Sequence, residues 1–382
     1  MIHQKLDYII AGAGLAGYTL LRKMITSGLA DQKKILVIDR DFTLKNDKTW
    51  CFWTHDDPFA IQRTFIQWPR IALRSHTETD RYPLAEHQYY CIKSEAYLRA
   101  CKTVIDTVPS IEWLQADIHG FDYVDGSPVV LTDQGVFGAS FIFQSVLTPA
   151  ALKSGTSTIQ LKQHFLGWEI ETHQDTFDTD EAMIMDFRTT QEYGFAFVYV
   201  LPYTKRTALI ELTYFTESLL PMQTYSDILS RYINDHLAVE YRLVREEFGI
   251  IPMETSRYPV WWCPGVLNMG LAGGQCKPST GYTFSRITRY CDQIVEALIQ
   301  GDLYHLNPAS PVRFQWYDRA LLWLLKHTPN RVPGIFLRLF KRNDPDRMLA
   351  FLDERTRFWQ ELGIFYTTRW RYFIEALLRS LK

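Results

Sequence analysis

The 382-residue sequence has little that would place it among metal, nucleophile or nucleic-acid chemistries. Its ten histidines are scattered, and its six cysteines (Cys51, Cys91, Cys101, Cys263, Cys276 and Cys291) include no CxxC pair. Neither a zinc site nor a disulfide framework is expected, and no metal is assigned. HExxH, GxSxG and phosphate-loop patterns are all missing, which removes the zinc proteases, the serine hydrolases and the P-loop enzymes. There is no excess of positive charge. With 41 basic and 43 acidic residues the formal net charge is -2, so no overall field gathers phosphates and nucleic acid is not an expected partner. No signal-peptide pattern opens the chain, so the thiols are expected to be reduced and cytoplasmic. Clean membrane spans are lacking too. Residues 134–152 and 258–276 carry no charge, but the first contains Gly135, Gly138 and Pro149 and the second Pro259, Pro264 and four glycines. Backbone groups in such segments would stay unpaired in lipid. The chain can sit on a membrane but is not expected to cross one.

What is abundant is aromatic. Eleven Trp, 21 Tyr and 23 Phe make up 14% of the residues, more than packing needs, and point to an apolar cavity or a membrane-facing surface. At 47% hydrophobic and 22% charged residues the chain is not disordered. Its length suits two closely joined domains or one large domain with an inserted layer. Charge is unevenly placed. From Arg313 to the end there are 14 basic against 7 acidic residues, leaving 27 against 36 in the remainder. A basic, aromatic and helical tail on an acidic body suits anionic lipid headgroups; an ordinary solvated helical face is the plainer reading.

The N-terminus is the most legible part. Residues 6–11 (LDYIIA) form a short apolar strand pattern, followed by Gly12, Gly14 and Gly17 in GxGxxG spacing, an apolar helix to about Ile25, and a second strand at 35–38 ending on Asp39. This is a βαβ unit carrying a dinucleotide fingerprint in its required context. Gly12 permits the tight turn, Gly14 lets a pyrophosphate approach, and Gly17 lets the helix pack on the strand. Asp39, 22 residues after Gly17, is placed to accept from a ribose. An N-terminal fingerprint with a long interrupted chain and no second GxGxxG suits FAD. A helix is expected at 92–101, and strands from 115, at 129–132 and at 139–146. Strands follow at 165–171, 182–187, 195–201 and 207–215, as in an antiparallel sheet. Helices are expected at 226–240 and after Lys277, where Pro278 and Gly281 open a helix with apolar positions Ile287, Tyr290, Cys291, Ile294 and Leu298, and the tail reads as all helical.

With no histidine cluster, acid–base chemistry beside a flavin falls to carboxylates. In the strand 207–215 the even positions Ala208, Ile210, Leu212 and Tyr214 make an apolar face, and Glu211 stands on the mixed opposite face with Leu209 and Thr213. Such a face looks at water or at a ligand cavity. Glu169 and Glu171 share one face of their own strand.

The segments GAGLAGYTLL, NDKTWCFW (46–53), GWEIE (167–171), MDFR (185–188), ALIELT (208–213) and GGQCKPSTGYTF (273–284) together resemble the bacterial lycopene β-cyclases, in the same order. The resemblance runs from residue 1 to about 300. It implies an FAD-dependent enzyme that converts the ψ-ends of lycopene to β-ionone rings, giving γ-carotene and β-carotene. The reaction has no net redox change but requires reduced FAD, with NAD(P)H as reductant. It places Glu211 on the family's essential acidic position and implies flavin contact at Pro278, Thr280, Gly281 and Tyr282. Two departures stand out. Relatives follow that Glu with a second acid where this chain has Leu212, which argues against a two-carboxylate mechanism at this motif. Gln144 and Val146 stand where an Asp and an Arg are expected. Aromatic faces can hold a carbocation; Trp50, Phe52, Trp53 and Trp168, with Glu169, are the candidates for stabilising it.

The expected architecture is therefore α/β: a Rossmann-type FAD-binding domain (1–75, 90–160 and 256–305), an antiparallel-sheet substrate domain (76–89 and 161–255) and a helical C-terminal region (306–382). The protein is expected in the cytoplasm, peripheral on the inner face of the cell membrane, where other carotenoid enzymes are possible contacts. An FAD monooxygenase or an isoprenoid reductase shares the fingerprint and the sheet, and a non-catalytic carotenoid-binding flavoprotein is a further alternative.

Overall fold

The apolar run at the N-terminus becomes a central strand because Tyr8 to Ala11 are buried on both faces. A computed structural model describes residues 3–55, 65–147, 159–256, 258–308, 310–368 and 370–380. In it the strand His3–Ala11 lies between Gly135–Gln144 and Ile35–Asp39, and all three run parallel. Val266–Asn268 and Ile111–Gln115 extend this parallel set on either side. An antiparallel meander, Ile118–Val124 and Ser127–Thr132, is attached to Gly135–Gln144. Helices Leu15–Thr26, Ser94–Ile105 and Phe284–Gln300 cover one face, their apolar sides meeting Ile10, Val37 and Leu267 in one core. This is the α/β nucleotide-binding arrangement that the sequence predicts.

The second sheet has seven strands in the order Tyr241–Glu254, Gln160–Thr172, Thr207–Thr216, Phe195–Pro202, Glu181–Asp186, Arg70–Arg74, Thr79–Pro83. All neighbours are antiparallel except Glu181–Asp186 with Arg70–Arg74. Ala208, Ile210, Leu212 and Tyr214 pack with helix Met222–His236 on one face. The opposite face meets the C-terminal helices Val312–His327, Val332–Arg342 and Pro345–Leu352 in a separate core. A three-stranded sheet, Thr49–Thr54, Gln88–Lys93 and Ile66–Trp68, runs between the two larger ones. Helices Phe358–Thr367 and Trp370–Ser380 complete a tail that is helical as expected. Among the described residues, no helix is long and apolar enough to cross a membrane.

Several boundaries differ from the expectations. The helix read at 92–101 begins at Ser94, because Ile92 and Lys93 still pair with Trp50 and Thr49. The helix read at 226–240 begins at Met222, directly after Pro221, whose φ of -58° is already suited to helix entry. It ends before Ala238, which has φ of 52°. Tyr241–Glu254 forms a 14-residue edge strand where no strand was expected. The first segment, expected to run to residue 75, enters the seven-stranded sheet at Arg70. Residues 56–64, and 148–152 of the uncharged stretch, lie outside the described residues.

Candidate active site

The glycine loop is built as its spacing demands. Gly12 has φ of 103°, a left-handed value that an L side chain rarely adopts. A Cβ on Gly17 would stand 2.0 Å from the Gly12 carbonyl oxygen, so only glycine lets the helix sit this close to the strand. Gly14 is different: a Cβ there would meet nothing within 4 Å. The protein leaves that space open, at the N-terminus of Leu15–Thr26, where helix N–H groups favour an anion. Asp39 accepts from the Ala13 N–H at 2.6 Å and from the Asp41 N–H at 3.1 Å. It thereby fixes the loop, and a carboxylate with about four acceptor positions keeps capacity for a ribose hydroxyl. The open cradle, the positive helix end and the acidic strand end fit a dinucleotide.

The second part of the site is a cavity of about 580 Å³, open to solvent, walled by the seven-stranded sheet, the strand Thr49–Thr54 and the loop at Thr280–Thr283. Trp50, Tyr282, Thr280 and Gly281 line it, together with Glu211 from the mixed face of its strand. Glu211 retains some accessible area only because it borders this space; its carboxyl lies deep in the protein. Burial first, and then the negative charge of Glu247, hold its pKa well above the ordinary value, while a hydrogen bond from Thr213 works the other way. Burial and the Glu247 charge both favour the protonated carboxylic acid over the carboxylate beside this chamber.

The remaining expected residues divide. Trp53 and Tyr282 meet in a T-shaped contact with ring centroids 4.7 Å apart, and Trp53 donates its indole N–H to the Leu349 carbonyl. Phe52 points into the nucleotide-side core, stacked on Phe284 at 4.5 Å. Trp168 faces away from the cavity, in the core with helix Met222–His236, and donates to Glu246. Glu169 is held by Lys93 at 2.8 Å and Arg245 at 3.1 Å, which makes it a link between sheets and not a group facing substrate. The helix that Pro278 and Gly281 were expected to open starts at Phe284. The Thr280 and Gly281 N–H groups turn back to the Lys277 carbonyl, while the Thr280 hydroxyl is buried at the cavity wall without a partner. Gln144 donates to Asn268 and accepts from the Val146 N–H; this clamps adjacent strands and accounts for a Gln at that place.

One group beside Glu211 was not foreseen. Glu247, on the edge strand, lies across Gly167 from Glu211: Gly167 pairs with Glu211 on one side and with Glu247 on the other. Nothing local in the sequence marks it, since the signal is cross-strand register.

Further apolar pockets lie beyond Tyr282. A second space of about 520 Å³, lined by Phe195, Phe197 and Phe215, shares Tyr199, Thr280 and Tyr282 with the first. A third, of about 570 Å³ among the tail helices, shares Ser279, Phe336 and Leu352 with the second. At the first junction the hydroxyls of Tyr89 and Tyr282 are 2.9 Å apart, and those of Tyr199 and Tyr282 3.5 Å. The result is a row of mainly apolar chambers with Glu211 at one end.

The family described as "Lycopene cyclase protein" matches residues 7–381. The chain belongs to the lycopene cyclase family. A lycopene beta-cyclase from Pantoea ananas is 25% identical over 318 residues, spanning 78% of this chain and 77% of that protein. Two solved structures share the fold at low identity. A geranylgeranyl bacteriochlorophyll reductase-like protein from Thermoplasma acidophilum has a TM-score of 0.61 at 14% identity, covering 97% of this chain and 98% of that one. A flavoprotein/dehydrogenase from Cytophaga hutchinsonii has a TM-score of 0.62 at 10% identity, covering 99% and 100%. This member of the family thus combines a flavoprotein fold with a deeply placed Glu211 carboxyl that borders a cavity lined in part by aromatic side chains.

Proposed function

We propose that the protein is a lycopene β-cyclase that closes the ψ-ends of lycopene to β-rings, with Glu211 as its acid–base residue. The observation that carries this reading is one deeply placed carboxyl, its pKa pushed upward by burial and by Glu247, beside a row of mainly apolar pockets in a chain of this family. An alkene is a very weak base, so its protonation needs a dry site and immediate stabilisation of the cation. Burial of the Glu211 carboxyl contributes to the first, and an apolar substrate filling the open cavity would exclude the remaining water. The faces of Trp50 and Tyr282 contribute to the second, at about 0.5–2 kcal/mol per ring. FAD would be held by Gly12, Gly14, Gly17 and Asp39 with the Pro278–Tyr282 loop; in its reduced, anionic form, with NAD(P)H as reductant, it would supply negative charge beside the cation. The chain divides in this reading into the discontinuous nucleotide domain, the sheet domain and the helical tail.

A long polyene enters from a bilayer. Trp359 and Tyr366 are 78% and 86% exposed on the tail, with Arg355 and Arg357 near them in sequence. Such a surface suits a peripheral seat on an anionic membrane face. The test is purified protein with FAD, NADPH and lycopene in liposomes, followed by pigment chromatography and cofactor assay. Expected is γ- or β-carotene without stoichiometric loss of NADPH. One NADPH consumed per product would instead establish a reductase or monooxygenase and end the cyclase reading.

A further inference from the structure

Glu247 has no task in the reading above, and this inference rests on that reading. Neighbouring strands lie about 4.8 Å apart, so Glu211 and Glu247, two strands removed, are roughly 10 Å apart at the backbone. Only a residue without a side chain between them lets their carboxyls meet. That residue is Gly167: a Cβ there would lie 3.0 Å from Glu247 Cγ and 3.4 Å from Glu211 Oε2. Both side chains lean over the glycine. The individual oxygens divide accordingly. Glu211 Oε1 accepts from the Thr213 hydroxyl, which leaves Oε2 turned toward the gap. Glu247 Oε2 accepts from Thr49 Oγ1 at 2.9 Å and Arg245 Nη1 at 2.6 Å, whereas its Oε1 is buried without a partner. A buried carboxylate oxygen without a donor calls for a proton nearby.

Charge counting agrees. Three carboxyls (Glu211, Glu247 and Glu169) adjoin two cations, Arg245 and Lys93. The other titratable groups that act on Glu211 or are acted on by it are Cys51, Tyr199 and Tyr282, from the strand Thr49–Thr54, the strand Phe195–Pro202 and the loop before Phe284. Burial pushes all three upward, so they stay neutral near pH 7 and do not balance the third carboxyl.

We propose that Glu247 is a positioning residue for Glu211: the two carboxyls hold one proton between Glu211 Oε2 and Glu247 Oε1, with Arg245 and Thr49 fixing Glu247 as the ionised partner. When Glu211 gives that proton to the terminal alkene carbon, a C–H bond forms and the positive charge passes to the polyene. Two facing carboxylates remain. Loss of a ring proton from the cation returns one proton to the pair, so charge and atoms balance with no oxidant or reductant consumed.

The test uses full-length protein with FAD, and follows the infrared stretch of the protonated carboxyl and the pH profile of cyclisation. In the wild type a band that disappears in Glu211→Gln should persist above neutral pH. Glu247→Gln should move its titration, and the alkaline limb of kcat, down by at least one pH unit, a tenfold loss of proton affinity, with KM for lycopene unchanged. Glu247→Asp should restore part of that shift. If Glu247→Gln does not fold, Gly167→Ala, which fills the gap, should move the band the same way. A band and profile that stay in place in the folded variants overturn the proposal. The infrared shift needs no turnover, so a protein that forms no rings but shows the shift keeps the pair and loses the cyclase reading.

Discussion

Glu354 and Glu211 each belong to a buried charge cluster among the described residues, and the two carboxyls shift in opposite directions. At the first, Lys277 pairs with Asp318 at 2.6 Å and Glu354 at 2.7 Å, and Arg286 with Glu354 at 3.1 Å. Burial by itself would raise the Glu354 pKa, but the Lys277 and Arg286 charges overcome it and the carboxyl ends below its ordinary value. At the second, burial and a like charge act together on Glu211 and its pKa ends well above. Burial is common to both, so burial does not decide the outcome; the balance of neighbouring charge does. Two cations against two carboxyls make a lock, here tying the Lys277 loop to the tail helix Val312–His327. Three carboxyls against two cations leave a proton that can move. A fixed charge pair serves architecture, and a surplus carboxyl serves proton transfer.

The contrast is best broken by exchanging what each cluster contributes. The largest effect is expected from Glu211→Gln, which keeps shape and hydrogen-bonding capacity but removes the transferable proton. Cyclisation should fall by about 10²–10⁴-fold, the usual worth of a positioned acid or base, while FAD binding and the circular-dichroism spectrum stay unchanged. Wild-type rates in this variant would show that the surplus carboxyl is not the acid. Lys277→Met should act the other way round. It strands Asp318 and Glu354 without their shared cation and should cost about 3–5 kcal/mol of stability, read as a lower denaturant midpoint. A loss under about 1 kcal/mol would mean that the balanced cluster is not a lock.

A smaller effect separates the two clusters by the sign of their pH dependence. Glu354, lowered in the folded state, contributes stability that is present above the ordinary Glu value and lost as pH falls through its folded value. Glu211, raised in the folded state, does the opposite: the folded form must either keep a proton or bear an uncompensated charge, so stability declines as pH rises above the ordinary 4.5. Melting temperatures of wild type and Glu211→Gln should therefore run parallel below that pH and diverge above it, with the wild type falling relative to the variant. Parallel curves up to pH 8 would remove the case for a protonated Glu211.

These features were unequally legible in the sequence. The glycine loop could be read because every part of it is local: strand, turn, helix start and acidic end follow within 39 residues. The face of Glu211 was equally readable from alternation, since its even-numbered neighbours are uniformly apolar. Adjacent residues on a strand point to opposite faces, however, and no local pattern shows that Gly167 looks into the cavity while Trp168 looks at helix Met222–His236. Glu247 was harder still. Its strand is an edge strand with Arg242, Arg245 and Glu246 along it, and Leu243, Val244, Phe248 and Ile250 are partly exposed, so neither face gives a clean apolar stripe. The partnership across Gly167 exists only in the register of three strands, distant in sequence, and a glycine with no side chain gives no sign of what meets above it.

The smallest expected effect concerns the other end of the molecule and sets a void for a ligand against a void for side chains. At Gly167 the missing Cβ is replaced by protein, namely the two glutamates and Leu209 Cδ1 at 3.0 Å. At Gly14 it is replaced by nothing that the chain supplies. Alanine at Gly14 should consequently leave the apo-protein's melting temperature unchanged, because no protein atom resists the added methyl and φ lies outside the left-handed region. It should still weaken FAD binding about tenfold, or about 1.4 kcal/mol, measured by flavin fluorescence titration, because the methyl occupies the space through which a pyrophosphate would approach the backbone. Alanine at Gly17, whose Cβ would collide with the Gly12 carbonyl, should lower the apo melting temperature as well. If Gly14→Ala binds FAD as the wild type does, the open space beside the helix is not where the cofactor's phosphates lie, and the nucleotide must be placed elsewhere along the loop.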